Sequence, residues 1–177
     1  APLYAIDGIT PGRAFVYQFG PTGWTLQATL RASDEADFDD FGVAVAIDGN
    51  RILVGADETD GPLSGAVGAV YVFDWNGAQW SESQKLEASD GATGGFFGFS
   101  VALDGNTAAI GRFWDDAAAP HAGSAYVFTR SGSAWTEAQK LVPSSPAVED
   151  NFGWAVALSG ARLLVGAPER FSSDDAD

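Results

Sequence analysis

Cysteine is absent from all 177 residues, so neither a disulfide framework nor a thiolate metal site can hold this fold. The lack is compatible with secretion but does not identify a redox compartment. Basic residues are scarce as well: nine Lys and Arg stand against 24 Asp and Glu, a formal charge of −15. That field repels phosphate backbones and anionic membrane surfaces and sets nucleic acid aside as a partner. A carboxylate excess suits a salty or calcium-rich medium, although a solvated acidic surface that keeps the protein soluble explains it more simply. No apolar run is long enough to cross a bilayer, so membrane insertion is not expected. Ala1 and the residues after it show neither the charged nor the apolar region of a signal peptide, so the expectation is a mature secreted product or an excised piece. The one histidine, His121, sits in AAAPHAG with no nucleophile beside it, which argues against a Ser-His-Asp arrangement. Glycines fall at turns and strand starts rather than in a strand-to-helix loop, so no phosphate cradle is expected.

What is present is a repeat. FGVAVAIDGNRILVGA (41–56) returns as FGFSVALDGNTAAIGR (97–112) and FGWAVALSGARLLVGA (152–167), at spacings of 56 and 55. Gly12, Gly68 and Gly123 keep the same spacings, as do Trp24, Trp80 and Trp135, and Leu30, Leu86 and Leu141. Each repeat holds four strand candidates. FGVAVAI (41–47) alternates Phe41, Val43, Val45 and Ile47 with Gly42, Ala44 and Ala46, which predicts an inner strand buried on both faces. Asp48-Gly49-Asn50 is a hairpin signal, RILVGA (51–56) a second strand, and AVYVF (69–73) a third, β-branched and aromatic. Asn76-Gly77 turns into WSESQKLEA (80–88), whose charges suit an exposed outer edge. Four antiparallel strands from a buried inner to a charged outer strand, at a fixed period, describe β-propeller blades; a two-sheet sandwich, which need not repeat its sequence, fits less well.

Phe-Gly at the head of the first strand and Gly166-Ala167-Pro168 carry a resemblance: the chain resembles the FG-GAP repeat of integrin α-subunit propellers, and especially its secreted bacterial relatives. The resemblance covers essentially the whole chain and implies an all-β propeller segment over 1–177, with repeat parts 1–40, 41–96, 97–151 and 152–177. It implies that Phe41, Gly42, Phe97, Gly98, Phe152, Gly153, Gly166, Ala167 and Pro168 pack into a cage near the ring. Gly55-Ala56-Asp57 and Gly111-Arg112-Phe113 depart from that motif, and the cage is expected to be altered at Arg112. The family's D-x-D-x-D-G calcium loop between first and second strands is missing, replaced by the tight turns Asp48-Gly49-Asn50, Asp104-Gly105-Asn106 and Ser159-Gly160-Ala161. By register the chain begins inside a Gly-Ala-Pro-like motif and stops in the loop after the last one, so half-blades are expected at both ends. Either a longer propeller surrounds them or copies associate through them, as a ring or filament.

Candidate chemistry is sparse. Carboxylates gather in DEADFDD (34–40), with Asp34, Asp37, Asp39 and Asp40, and recur as Asp57, Asp60, Asp115, Asp116, Glu149 and Asp150. Oxygens from several loops suit Ca2+, a hard cation. Against this, no stretch has calcium-loop spacing, no complete set recurs in all three repeats, and Asp is an ordinary turn former. No pair stands out as a glycosidase acid and base. The repeating tryptophans could stack on sugars but most simply pack the blade. Phe113, Trp114 and Tyr4 break the repeat, and contact with a ligand and packing of their loops are equally open for them. The expectation is an extracellular or cell-surface module that binds a protein or glycan through its loops, without catalysis. Self-assembly through incomplete blades is the alternative, and a carbohydrate-binding or hydrolytic propeller a third reading.

Overall fold

The computed structural model describes residues 11–59, 67–91 and 94–168, and these contain twelve strands and no helix. A leading pair, β1 (Ala14–Gly20) and β2 (Gly23–Leu30), is followed by a four-stranded sheet of β3 (Val45–Asp48), β4 (Arg51–Ala56), β5 (Ala69–Trp75) and β6 (Trp80–Leu86). A second sheet follows with β7 (Ser100–Asp104), β8 (Thr107–Arg112), β9 (Ser124–Ser131) and β10 (Ala134–Leu141). A trailing pair, β11 (Ala155–Ser159) and β12 (Arg162–Gly166), comes last. Among the described residues the strands pair antiparallel and in consecutive order, a single parallel bridge joins Gly123 to Phe152 outside them, and the sheets do not close into a ring. Register repeats with the sequence: Val54 opposes Tyr71 in the first sheet and Ile110 opposes Tyr126 in the second. A bulge falls at the same place in all three third-to-fourth-strand ladders, at Val16/Tyr17, Val72/Phe73 and Glu137/Gln139, and twists each outer strand alike. These are propeller blades stacked side by side.

The core lies between sheets, because period-2 alternation sends neighbouring side chains to opposite faces. Tyr71 and Phe73 point back, into a cluster with Ala14, Val16, Leu30, Phe41, Ile52 and Val54. Val70 and Val72 point forward, into a cluster with Leu53, Leu86, Phe97, Ile110, Tyr126 and Trp135. Each sheet therefore needs both neighbours.

Two expectations need correction. The first strand does not begin at Phe41: Phe41-Gly42 lie in a turn, with Gly42 at φ 101°, and β3 starts only at Val45. Nor is β3 buried on both faces, since Val45 and Ile47 are 61% and 62% exposed. Their equivalents Val101 and Leu103 do pack, against the second cluster. The cover for a first strand comes from the preceding blade, and among the described residues only half a blade precedes β3. The same reason separates the tryptophans: Trp135 is buried and Trp80 half-buried, while Trp24 on the leading pair is exposed.

Glycine sits where backbone meets backbone. A Cβ on Gly68 would lie 2.1 Å from the Phe97 carbonyl oxygen, and one on Gly123 2.1 Å from that of Phe152. A Cβ on Gly55 would lie 2.1 Å from the Gly98 oxygen, and one on Gly111 1.9 Å from that of Gly153. Gly55 is in a β-strand, so its need for glycine is close approach alone. Gly55→Ala is thus expected to lose about 3 kcal/mol through overpacking. Gly49→Ala, at φ 54° with open space around it, is expected to lose only about 1 kcal/mol. Urea midpoints of the two variants check this, and equal losses would contradict it.

Candidate functional site

The two ends of the stack differ. One carries the short turns, Asp48-Gly49-Asn50 and Asp104-Gly105-Asn106 among them. Asp48 Oδ2 accepts the Gly105 N–H at 2.7 Å, and Asp104 Oδ2 accepts the Gly160 N–H at 2.6 Å. These carboxylates clasp the next blade's turn and do not fit a calcium loop. The other end carries the second-to-third and fourth-to-first strand loops, knitted across repeats. Phe97 N–H donates to Val67 O, Trp114 N–H to Gly95 O, Asn151 N–H to His121 O and Phe152 N–H to Ala122 O. The outer strands β6 and β10 each add a clamp: Glu82 accepts both the N–H and the hydroxyl of Ser33, and Glu137 does the same for Ser89.

Below the loops lies a repeated ionic cluster. In the first blade Asp34 accepts from the Tyr71 hydroxyl at 2.7 Å and from Lys85 Nζ at 2.9 Å. In the second, Asp90 accepts from the Tyr126 hydroxyl at 2.9 Å, from Arg112 at 2.9 Å and from Lys140. Asp115 adds contacts with Lys140 and the Ser124 hydroxyl. Burial alone would raise the Asp90 and Asp115 carboxyls, but hydrogen bonds from Lys140, Tyr126 and Ser124 and the Arg112 charge outweigh it and hold both below the usual range.

The blades solve one packing problem in two ways. By register Arg112 stands where the first blade has Ala56, and Gly95 where it has Asp39. Arg112 is 1% exposed, and a Cβ on Gly95 would lie 1.8 Å from its Nε. The large side chain has moved from the loop before the blade to the end of its second strand, so the expected alteration at Arg112 is a compensated exchange. In the first blade no guanidinium takes that place. Asp57 is buried with one carboxylate oxygen lacking a hydrogen-bond partner. Desolvation, together with the Asp40 and Glu58 charges, pushes its pKa up to about 7.

The sequence-predicted residues separate into several places. Asp39 is buried and accepts the Ala36 N–H at 2.8 Å, and Asp150 accepts the Ala147 N–H at 2.7 Å, so both brace turns. Asp37 and Asp116 are exposed and Asp40 half-buried. Among the described residues, no three His, Cys, Asp or Glu side chains are placed to hold a metal. Asp60 and Tyr4 lie outside the described residues. Phe113 is buried in a ring cluster with Phe96, Phe99, Trp114 and Trp154, which fits its packing reading; Trp114 is half-buried and lies against His121 at 4.6 Å. Phe41 and Phe97 are buried, Phe152 and Gly166 half-buried, Ala167 and Pro168 exposed. The Asp-Tyr-Lys cluster was missed, although Asp34/Asp90, Tyr71/Tyr126 and Lys85/Lys140 keep the 55–56 period and alignment of the repeats reveals them.

Blades with Phe-Gly backbone lodged against glycine of the preceding repeat, that glycine standing just before the third strand, define a class of repeat propeller. Residues 24–73, 80–128 and 135–177 match the FG-GAP repeat family, and the chain belongs to it. No curated protein matches the chain. Repeats of this family build propeller-like modules, often in extracellular proteins that bind partners, and no helix of the described residues is long and apolar enough to cross a membrane.

Two outcomes are expected. The raised Asp57 pKa means the folded state holds this proton more tightly than the unfolded chain, whose value is 3.8, so its contribution is full below pH 4 and lost as pH rises through about 7. Asp57→Asn should therefore add about 2 kcal/mol of stability at pH 8 and little at pH 4, read as the variant-minus-parent difference in urea unfolding. Next, Gly95→Asp alone should destabilise strongly, and Gly95→Asp with Arg112→Ala, which copies the first blade, should recover much of the loss. A double-mutant cycle should show about 1–3 kcal/mol of coupling, whereas additive losses would count against the exchange.

Proposed function

We propose that the protein is a non-catalytic, extracellular binding module whose ligand, a protein or glycan, is held by the long-loop end. The asymmetry of the ends carries this reading. Tight turns at one end keep one length and a central glycine, while the loops at the other differ mainly in sequence between repeats and rest on sheets locked together by backbone contact and ionic clamps. Variable loops on a rigid scaffold are where binding specificity is commonly placed. The exposed carboxylates there, including Asp37, Asp116 and Glu149, favour a cationic surface on the partner.

The test is a triple variant, Asp37→Asn, Asp116→Asn and Glu149→Gln, assayed against surface or extracellular-matrix components by immobilised binding. The unfolding midpoint should stay within about 0.5 kcal/mol of the parent, since the residues are exposed. Affinity should fall about tenfold, and the parent's binding should weaken between 50 and 500 mM salt, by roughly the sensitivity expected of exposed charges. Unchanged binding in the triple variant would count against the loop end.

A further inference from the structure

The seam between the two four-stranded sheets holds a polar basin at the short-turn end. Asp48, Arg51, Asp74 and Trp75 line it from one blade, and Gly105, Asn106 and Arg130 from the next. Its volume is about 430 Å³, inside the range of roughly 300–1,000 Å³ that small-molecule sites occupy. Both sheets that form it are four-stranded, so its walls do not depend on what adjoins either side of the stack.

The ionic lining is peculiar to this seam and is not what closes it. The clasp from Asp48 Oδ2 to the Gly105 N–H recurs at the next seam, from Asp104 Oδ2 to the Gly160 N–H. Arg51 and Asp74 oppose each other across β4 and β5, whereas Thr107 and Thr129 take the same opposed positions across β8 and β9. Arg130 stands where the other repeats have Phe19 and Trp75. A chain with nine Lys and Arg thus spends two of them on one basin, while the next seam keeps the clasp with threonines in place of the Arg51–Asp74 pair.

The hydrogen bonding of these groups is incomplete in a definite pattern. Arg51 is fixed: its Nε donates to Asp74 Oδ1 at 2.9 Å, its Nη1 to Gly105 O at 3.1 Å, and its guanidinium lies 5.4 Å from the centre of the Trp135 ring. Its Nη2 has no partner among the described residues. Arg130 makes no side-chain hydrogen bond among them; its Nη2 stands 4.0 Å from Asp74 Oδ2, too far to donate, and its Nε is buried without a partner. Donors and an acceptor therefore face one another with a gap between them. A hydroxyl accepts from a guanidinium and donates to a carboxylate, so it serves both, where a carboxylate or ammonium ligand serves one. Arg51, Arg130, Asp48 and Asp74 are two charges of each sign, which favours neither an anion nor a cation, and the chain's negative field further disfavours anions. Trp75 adds an aromatic wall suited to the C–H face of a sugar ring.

We propose that this basin binds a neutral pyranose, with Arg130 and Arg51 donating to its hydroxyls and Asp74 accepting from them. The site lies at the end opposite the variable loops and is a second binding surface, independent of the loop-end ligand.

Saturation-transfer NMR with the methyl pyranosides of glucose, galactose, mannose and N-acetylglucosamine tests this. At least one should bind with a Kd of about 1 mM, the affinity that ordinary ligand efficiency gives a molecule of this size. Arg51→Thr with Asp74→Thr, which copies the pair at the next seam, should stay folded by urea unfolding and weaken binding about tenfold or more. Arg130→Met, at a position that is aromatic in the other repeats, should weaken it likewise. No transfer from any of these sugars, or transfer unchanged in either folded variant, would overturn the site. Tighter binding of glucuronate than of methyl glucoside would also overturn it, because the basin would then select a carboxylate. Neither variant alters a loop-end carboxylate, so failure here and failure of the loop-end reading are distinguishable.

Discussion

Everything in this fold depends on main chain touching main chain where one repeat meets the next. The carbonyls of Phe97 and Gly98 lie where Cβ atoms on Gly68 and Gly55 would be, and the carbonyls of Phe152 and Gly153 stand in the same relation to Gly123 and Gly111. Approach this close sets blade spacing before any side chain is chosen, and it brings the phenylalanine ring under the aromatic third strand of its own sheet. The apolar clusters then form between sheets rather than within one, so a single repeat cannot bury its own core.

Polar groups reinforce the same seams. A carboxylate in the loop before each complete blade, Asp34 or Asp90, gathers the tyrosine hydroxyl and lysine of that blade, and Glu82 and Glu137 fasten the serines beside those carboxylates. The tyrosine bonds are partly shielded from water and so are worth more than the exposed lysine and serine contacts around them. The blades diverge only where the loops meet: a buried arginine faces two carboxylates in the second, and Asp57, poorly solvated and repelled by its neighbours, takes up a proton near neutrality in the first. A strongly acidic chain thereby buries some charge in compensated pairs and leaves other carboxylates, Asp37, Asp116 and Glu149 among them, exposed on the loop end.

Division of labour between the two ends follows. Short turns clasp one another through Asp48 and Asp104, which uses their carboxylates structurally, while the longer loops are free to vary because their bases are tied by backbone hydrogen bonds.

Periodicity, the strand alternation and the hairpin turns were legible from residues alone, because they depend on local backbone preference and on side chains falling every second position. Glycine marked each repeat as well, and the Phe-Gly and Gly-Ala-Pro motifs carried the resemblance to the FG-GAP repeat, while the close backbone approach that requires those glycines emerged only in the structure. Burial was not legible at the outer repeats: Val45, Ile47 and Trp24 read like Val101, Leu103 and Trp135, and only the neighbour across the seam decides which are covered. Nor could residue type predict that Phe113 would be packed inside its loop, or that Arg112 would occupy the room left by Gly95, fifteen or more residues away along the chain. Those outcomes are pairwise and non-local. The sequence by itself determined the unit and its repetition; tertiary contact decided the environment of each copy, since an identical residue gains or loses its partners according to what stands beside its blade.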